Sequence, residues 1–280
     1  MSSVGQQGHA RDRARYTHGH HESVLRTHAW RTVENSAAYL VPHLRAGASV
    51  LDVGCGPGTV TVDLAHRVAP GRVVGVDLSP EVVARAAREA RGAGAPGAVD
   101  VEFVVADLFA LPFADDSFDV VHAHQVLQHV HDPVGALVEM RRVARPGGVV
   151  AVREVDYGAT AWAPSSTGLE RWIDVYDRVH RANGGEPDAG RHLRGWALAA
   201  GFAEVTSSAS VWCFASDAER AWWGGAWAER ATRSSFAEQA ISSGAATAVE
   251  LDDIAAAWLA WREDPAGTLL MPHGEVLARA

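Results

Sequence analysis

Residues 50–59 read VLDVGCGPGT, a short apolar run interrupted by Asp52 and followed by glycines at 54, 56 and 58. Glycine adopts backbone angles closed to other residues, so this spacing predicts a tight strand-to-helix turn whose backbone a ligand can approach closely. TVTVDLAHRV (59–68) continues as a helix, and the first N–H groups of a helix have no partner within it. The same alternation extends outward. RVVGVDL (72–78) reads as a strand and PEVVARAAREARG (80–92) as a helix with Pro80 in its first turn and Ser79 as its cap. VEFVVAD (101–107) and FDVVHAH (118–124) are the third and fourth strands. DPVGALVEMRRVA (132–144) is helical and ends before Pro-Gly-Gly, and VVAVREVD (149–156) is a fifth strand. Strands separated by helices predict an α/β fold with a parallel sheet covered on both faces.

On either side of this core the pattern changes. Residues 16–44 read as helical, with Trp30, Val33, Ala37, Leu40 and Val41 at helical spacing. After Asp156 come nine of the ten tryptophans, between Trp162 and Trp261. Helices are expected near 168–182, 190–200, 217–231 and 250–263, around a strand at 203–214 and a final strand or hairpin at 268–280. No internal repeat or long linker is visible.

Composition narrows the function. The 280 residues are 48% hydrophobic and 21% charged, as in ordinary globular proteins. No apolar run approaches the roughly 18 residues of a membrane span, and the N-terminal residues do not resemble a secretory signal. The formal net charge is −9, which argues against nucleic acid or an anionic membrane as partner. The chain contains no lysine, so a lysine Schiff base or a phosphate-loop lysine is excluded. Cys55 and Cys213 form no CxxC pair, which excludes a disulfide framework and leaves the cytoplasm as the expected compartment.

A glycine-rich turn alone serves nicotinamide, flavin or S-adenosylmethionine. Its acidic neighbours discriminate among them. Asp52 stands two residues before Gly54, where a carboxylate can hold an ammonium group or the loop itself. Asp77 ends the second strand, placed for ribose hydroxyls, and Asp107 ends the third, within reach of an adenine amino group. Three acids at successive strand ends suit a cationic nucleoside without pyrophosphate.

With VLDVGCGPG, VVGVDLS, ADLFALPFADDSFDVVHAHQVLQHVHDP and RRVARPGG in place, residues 45–155 resemble the class I S-adenosylmethionine-dependent methyltransferases, in particular the ubiquinone/menaquinone C-methyltransferase-like group. The resemblance implies a Rossmann-like seven-stranded, mostly parallel sheet in the order 3-2-1-4-5-7-6, with helices on both faces and a helical lid. It implies a lid segment over 1–44, an S-adenosylmethionine-binding core over 45–158, and the end of the sheet with substrate-lid insertions over 159–280. Gly54, Cys55 and Gly56 would then cradle the methionine moiety, Asp77 would bind ribose, and Leu78, Ala106, Asp107 and Leu108 would surround adenine. His124 and Gln125 would face the methyl group, and Tyr16 and Arg31 the methionine carboxylate.

Methyl transfer from a sulfonium requires an aligned nucleophile and, where the nucleophile carries a proton, a base that histidine can supply. His122 and His124 share a strand face, with His124 nearer the ligand-binding end, so His124 is the favoured base, followed by His20 and His21. His129 is expected to pack structurally. No metal is expected, since His18, His20 and His21 lack partners at usual ligand spacing. Trp162, Trp172, Trp222, Trp223 and Trp227 fit either the roof of a pocket for a flat substrate or the lid's own core. The expected function is methylation of a small aromatic or polycyclic molecule. Lysine-free, Ala-, Arg- and Gly-rich composition associates it with secondary metabolism in a GC-rich genome. A peptide or protein methyltransferase, a nicotinamide oxidoreductase and a non-catalytic S-adenosylmethionine-binding protein are the alternatives. The expected partners are the small-molecule substrate and, at most, a second copy of the chain as a homodimer.

Overall fold

A computed structural model describes residues 30–92 and 101–280. Strand β1 (Val50–Val53) is flanked by β2 (Val73–Asp77) and β4 (Phe118–His124), β3 (Val101–Val105) lies outside β2, and β5 (Ala144–Val155) outside β4; all these pairings are parallel. β8 (Thr268–Arg279) runs antiparallel against β5, and β7 (Val205–Phe214) pairs with its other side. This reproduces the expected order, with the expected antiparallel last strand. The sheet has eight strands rather than seven, because the three-residue β6 (Ala161–Ala163) pairs with the first residues of β8. The 268–280 segment is one strand, not a hairpin.

Strands buried on both faces explain the continuous valine runs that make the core legible. On one face Leu51, Val53, Val121, Ala123, Val150 and Val152 meet α4 (Pro133–Val143) and α6 (Ala189–Ala199). On the other, Val50, Val73, Val120 and Val149 meet α2 (Thr59–Val68) and the residues around Leu40. α3 (Pro80–Gly92) lies against β2 and β3. Local signals set the helix starts. Ser79 Oγ accepts the Val82 N–H, and Asp132 accepts from Gly135 ahead of Pro133 at the first helical position.

Residues 30–44 do not form the expected continuous helix. Thr32 and Asn35 make a capping box for a single turn, α1 (Val33–Ser36), and the chain breaks at Ala37 (φ −144°) into a 3₁₀ segment, Ala38–His43. Pro42 supplies no N–H to prolong it. Tyr16, His18, His20 and His21 lie outside the described residues.

Helices α5 (Thr167–Ala182), α7 (Asp217–Arg233), α8 (Ser235–Ser242) and α9 (Ala248–Glu263) build a second hydrophobic cluster beside β7 and β8. Sequence periodicity did not resolve α8, which Ser234 separates from α7 by capping Phe236. Trp172, Trp223 and Trp227 are buried in this cluster, whereas Trp162 and Trp222 are half-buried at its edge. The Trp172 ring meets Trp227 and Trp258 edge-on at 4.8 and 4.9 Å between centroids. Trp172→Ala is expected to cost about 3–5 kcal/mol, measured by urea denaturation, because so large a cavity cannot close.

Candidate functional site

The turn after β1 passes through Gly54, Gly56 and Gly58 with φ of 67°, 54° and 84°. A Cβ on Gly54 would stand 2.4 Å from Cγ2 of Val126, and one on Gly58 2.8 Å from the Phe103 ring. At Gly56 nothing lies within 4 Å of that position. Packing therefore demands the outer two glycines, while the middle one faces open space, as a backbone touched by a ligand requires. Between them Cys55 donates its N–H to Val76 (2.9 Å), and burial pushes its thiol pKa well up.

Asp52 is buried. Its Oδ1 accepts from His122 Nδ1 at 2.8 Å and its Oδ2 from the Thr61 hydroxyl at 2.6 Å, so this carboxylate ties β1 to β4 and α2. Asp77, at the end of β2, accepts from the N–H groups of Gly56 (3.2 Å) and Ser79 (3.0 Å), which orient it beside the glycine turn. Leu78 next to it is 56% exposed, an apolar surface at the strand ends. Ala106 donates to the Asp77 carbonyl, Asp107 Oδ1 accepts from Phe109, and Leu108 packs half-buried against the core. Open space at Gly56, an oriented carboxylate at Asp77 and bare apolar surface at Leu78 together fit a nucleoside whose amino-acid end lies along the glycine turn.

At the end of β4, both ring nitrogens of His124 are buried without a hydrogen-bond partner among the described residues. Burial, then the charge of Arg31, hold its pKa well below the usual histidine range, so the imidazole is neutral at pH 7. Gln125 follows with φ 54°. Its side chain accepts from Arg31 Nη2 (2.5 Å) and donates to His273 Nε2 (2.8 Å), because His273 Nδ1 donates to the Met271 carbonyl (2.9 Å). Arg31 is thus brought to the site by Gln125, and its guanidinium lies 5.7 Å from the Trp212 ring.

Beneath this loop stands Glu154 of β5, fully buried. Oε1 accepts the N–H groups of Val126 (2.8 Å) and Leu127 (2.7 Å), and Oε2 that of Gln128 (3.4 Å). Burial raises its pKa to about 7 against the opposing effect of those three donors. On the loop's far side His180 Nε2 donates to the Gln128 carbonyl (2.7 Å) and stacks on His129 (5.0 Å), the packing role expected for His129.

Asp52, Gly54, Gly56, Asp77, His124 and Gln125 therefore gather along the C-terminal rim of β1, β2 and β4, with Ala106–Leu108 beside them. No cluster of three or more potential metal ligands occurs among the described residues. Sequence reasoning missed Arg153, Glu154, Glu275 and Tyr39. The signal was present as an Arg-Glu pair inside an otherwise apolar strand.

Two outcomes follow from this geometry. Unfolded, Glu154 ionises near 4.5, whereas the folded protein holds its proton to about 7. Its contribution to stability therefore falls as pH rises through that interval, by about 3 kcal/mol in all. Urea denaturation of the native protein and Glu154→Gln should show their stability difference moving by about that amount in favour of the variant between pH 4.5 and 8. Gly54→Ala should destabilise by about 2 kcal/mol or more, from an unfavourable φ and the clash with Val126.

Comparison with known proteins agrees with this geometry. Residues 51–152 match a family model described as a methyltransferase domain. The chain is 35% identical over 271 residues, 95% of its own length and 96% of the other's, to an uncharacterized methyltransferase, C1B3.06c, of Schizosaccharomyces pombe. It is 39% identical over 129 residues to the ubiquinone/menaquinone biosynthesis C-methyltransferase UbiE of Bdellovibrio bacteriovorus, spanning 45% of this chain and 51% of that one. Its fold resembles that of the [4+2]-cyclase SpnF, with TM-score 0.54 and 24% identity over 90% of this chain and 84% of the other. A near full-length relative and a matching domain lead to one conclusion: the chain belongs to the S-adenosylmethionine-dependent methyltransferases, and S-adenosylmethionine is its cofactor.

Proposed function

We propose that this methyltransferase acts on a small aromatic or polycyclic metabolite, held between the end of β4 and the helices that follow β5. The observation that carries this reading is the aromatic wall beside His124. Trp212 lies 5.6 Å from the His124 ring and 5.2 Å from Trp30, and Trp30 in turn lies 5.4 Å from Trp222 on α7. Aromatic faces at that place favour a flat apolar acceptor. The net charge of −9 argues against nucleic acid as the substrate. No helix among the described residues is long and apolar enough to cross a membrane. The placement in the cytoplasm rests on Cys55 and Cys213, both free thiols.

Within this proposal each residue has a task. Bound S-adenosylmethionine supplies an electrophilic methyl group. Asp77 accepts the ribose hydroxyls, its orientation fixed by Gly56 and Ser79. Leu78 and Ala106–Leu108 border the adenine. The turn at Gly54–Gly56 lets the amino-acid end approach backbone atoms, and Arg31 meets its carboxylate. His124, neutral at pH 7, carries a lone pair at the methyl side and takes a proton from the acceptor. The helices α5, α7, α8 and α9, with residues 30–44, close over both substrates and keep water out.

Asp77→Ala is expected to weaken S-adenosylhomocysteine binding by about tenfold or more, read by calorimetric titration; unchanged affinity would remove the ribose assignment. His124→Ala should lower turnover of labelled methyl about a hundredfold while leaving cofactor affinity near that of the native protein. A fully active variant would retire His124 as the base.

A further inference from the structure

Between the sheet and residues 38–44, one face carries polar side chains where its surroundings carry valine and leucine. His124, Arg153, Glu275 and Ser208 stand opposite one another across β4, β5, β8 and β7. Asp52 and His122 pair two residues lower on β1 and β4. Tyr39, on the 3₁₀ segment, lies within electrostatic reach of Glu275, Arg153 and Asp52. The Trp212 ring, 4.9 Å from the Arg153 guanidinium and 5.6 Å from His124, bounds the same space.

Only part of this polar row is satisfied. Glu275 accepts from Ser208 (2.7 Å), Ser210 (2.5 Å) and Arg153 Nε (3.3 Å). Arg153 Nη1, the Tyr39 hydroxyl, both ring nitrogens of His124 and Nε2 of His122 are buried with no hydrogen-bond partner among the described residues. Arg153 is 1% exposed and His124 6%. Native proteins pair almost all buried polar atoms, so several orphans at one place mark a position for ordered water or for a ligand's polar group. His124 ends β4, next to Gln125, so the recess adjoins the methyl side of the site.

The donor and acceptor inventory selects the ligand group. Arg153 only donates, and burial keeps the Tyr39 phenol protonated, so it can donate too. Neutral His124 brings one donor and one acceptor. A group that both accepts and donates is required. An arylamine would bring two N–H donors and only a poor acceptor to Arg153 and Tyr39, which both donate. A carboxylate would add a buried charge where Glu275 already balances Arg153. We propose that the recess seats a neutral hydroxyl group of the acceptor, with Arg153 and Tyr39 donating to its oxygen and His124 accepting its proton, so that this enzyme is an O-methyltransferase. As the oxygen bonds to the methyl carbon, the sulfur–methyl bond breaks with its electron pair left on sulfur, and the hydroxyl proton passes to a His124 ring nitrogen.

The inference rests on the small-aromatic reading, and its test separates the two. The native protein is incubated with S-adenosylmethionine labelled in the methyl group and a panel of phenols and naphthols, each matched by the arylamine of the same skeleton, and separately with a mixture of short peptides. Label is expected in aryl methyl ethers and in no amine. Tyr39→Phe, which retains the ring and so the packing, should raise KM for the hydroxyl substrate about tenfold with S-adenosylhomocysteine affinity unchanged. Label on nitrogen or ring carbon, a Tyr39→Phe enzyme with native KM, or no ether from any hydroxyl member overturns the inference. Transfer to arylamines does so while the small-aromatic reading stands; transfer to peptides alone removes both.

Discussion

The contact between Gly54 and Val126 holds the site together. The strand order reverses between β1 and β4, so the loops leaving these neighbours diverge and open a crevice at the sheet's C-terminal rim. Val126 occupies the space where any side chain at 54 would stand, which brings the two loops together and leaves the crevice above them. Glu154 fixes the second loop from below through three consecutive N–H groups, and His180 fixes it from the side through the Gln128 carbonyl. The glycine turn and the loop after β4 are thus set against each other by one steric contact and one buried carboxylate.

Charge is distributed in this protein against the usual economy of a core. Arg153, Glu154, Glu275, Asp52, His122 and His124 all lie inside, on or beside the central strands. Desolvation lowers the Arg153 pKa to about 10, keeps His124 neutral and brings Glu154 to about 7. Burial is costly for each, and serine, threonine and backbone donors offset only part of it. Such groups persist where chemistry uses them, and here they concentrate under the end of β4.

The core of the fold was legible because its signals are local. Valine runs ending in Asp52, Asp77 and Asp107, and glycines at fixed spacing, announce strand, turn and ligand rim within a few residues. The rim residues Gly54, Gly56, Asp77, His124 and Gln125 could be placed for the same reason. What escaped depends on distant partners. His273 meets Gln125 across 148 positions, and Glu275 meets Arg153 across 122. Periodicity carried the helix reading straight through Ala37, where the capping box of Thr32 and the following 3₁₀ turn break it. By sequence the tryptophans fit either a pocket or the lid's own core, and burial divides them: Trp172, Trp223 and Trp227 are core, whereas Trp162 and Trp222 are half-buried at its edge. Trp212, outside that reading, is buried as well, its indole donating to the Asn35 carbonyl at 2.6 Å.

A crystal structure of the protein with S-adenosylhomocysteine decides whether this rim holds the nucleoside. The ribose hydroxyls should lie on Asp77, the adenine over Leu78, and the sulfur above the Gly54–Val126 contact with its open side toward His124. A nucleoside bound elsewhere, or a sulfur turned away from His124, would contradict this arrangement.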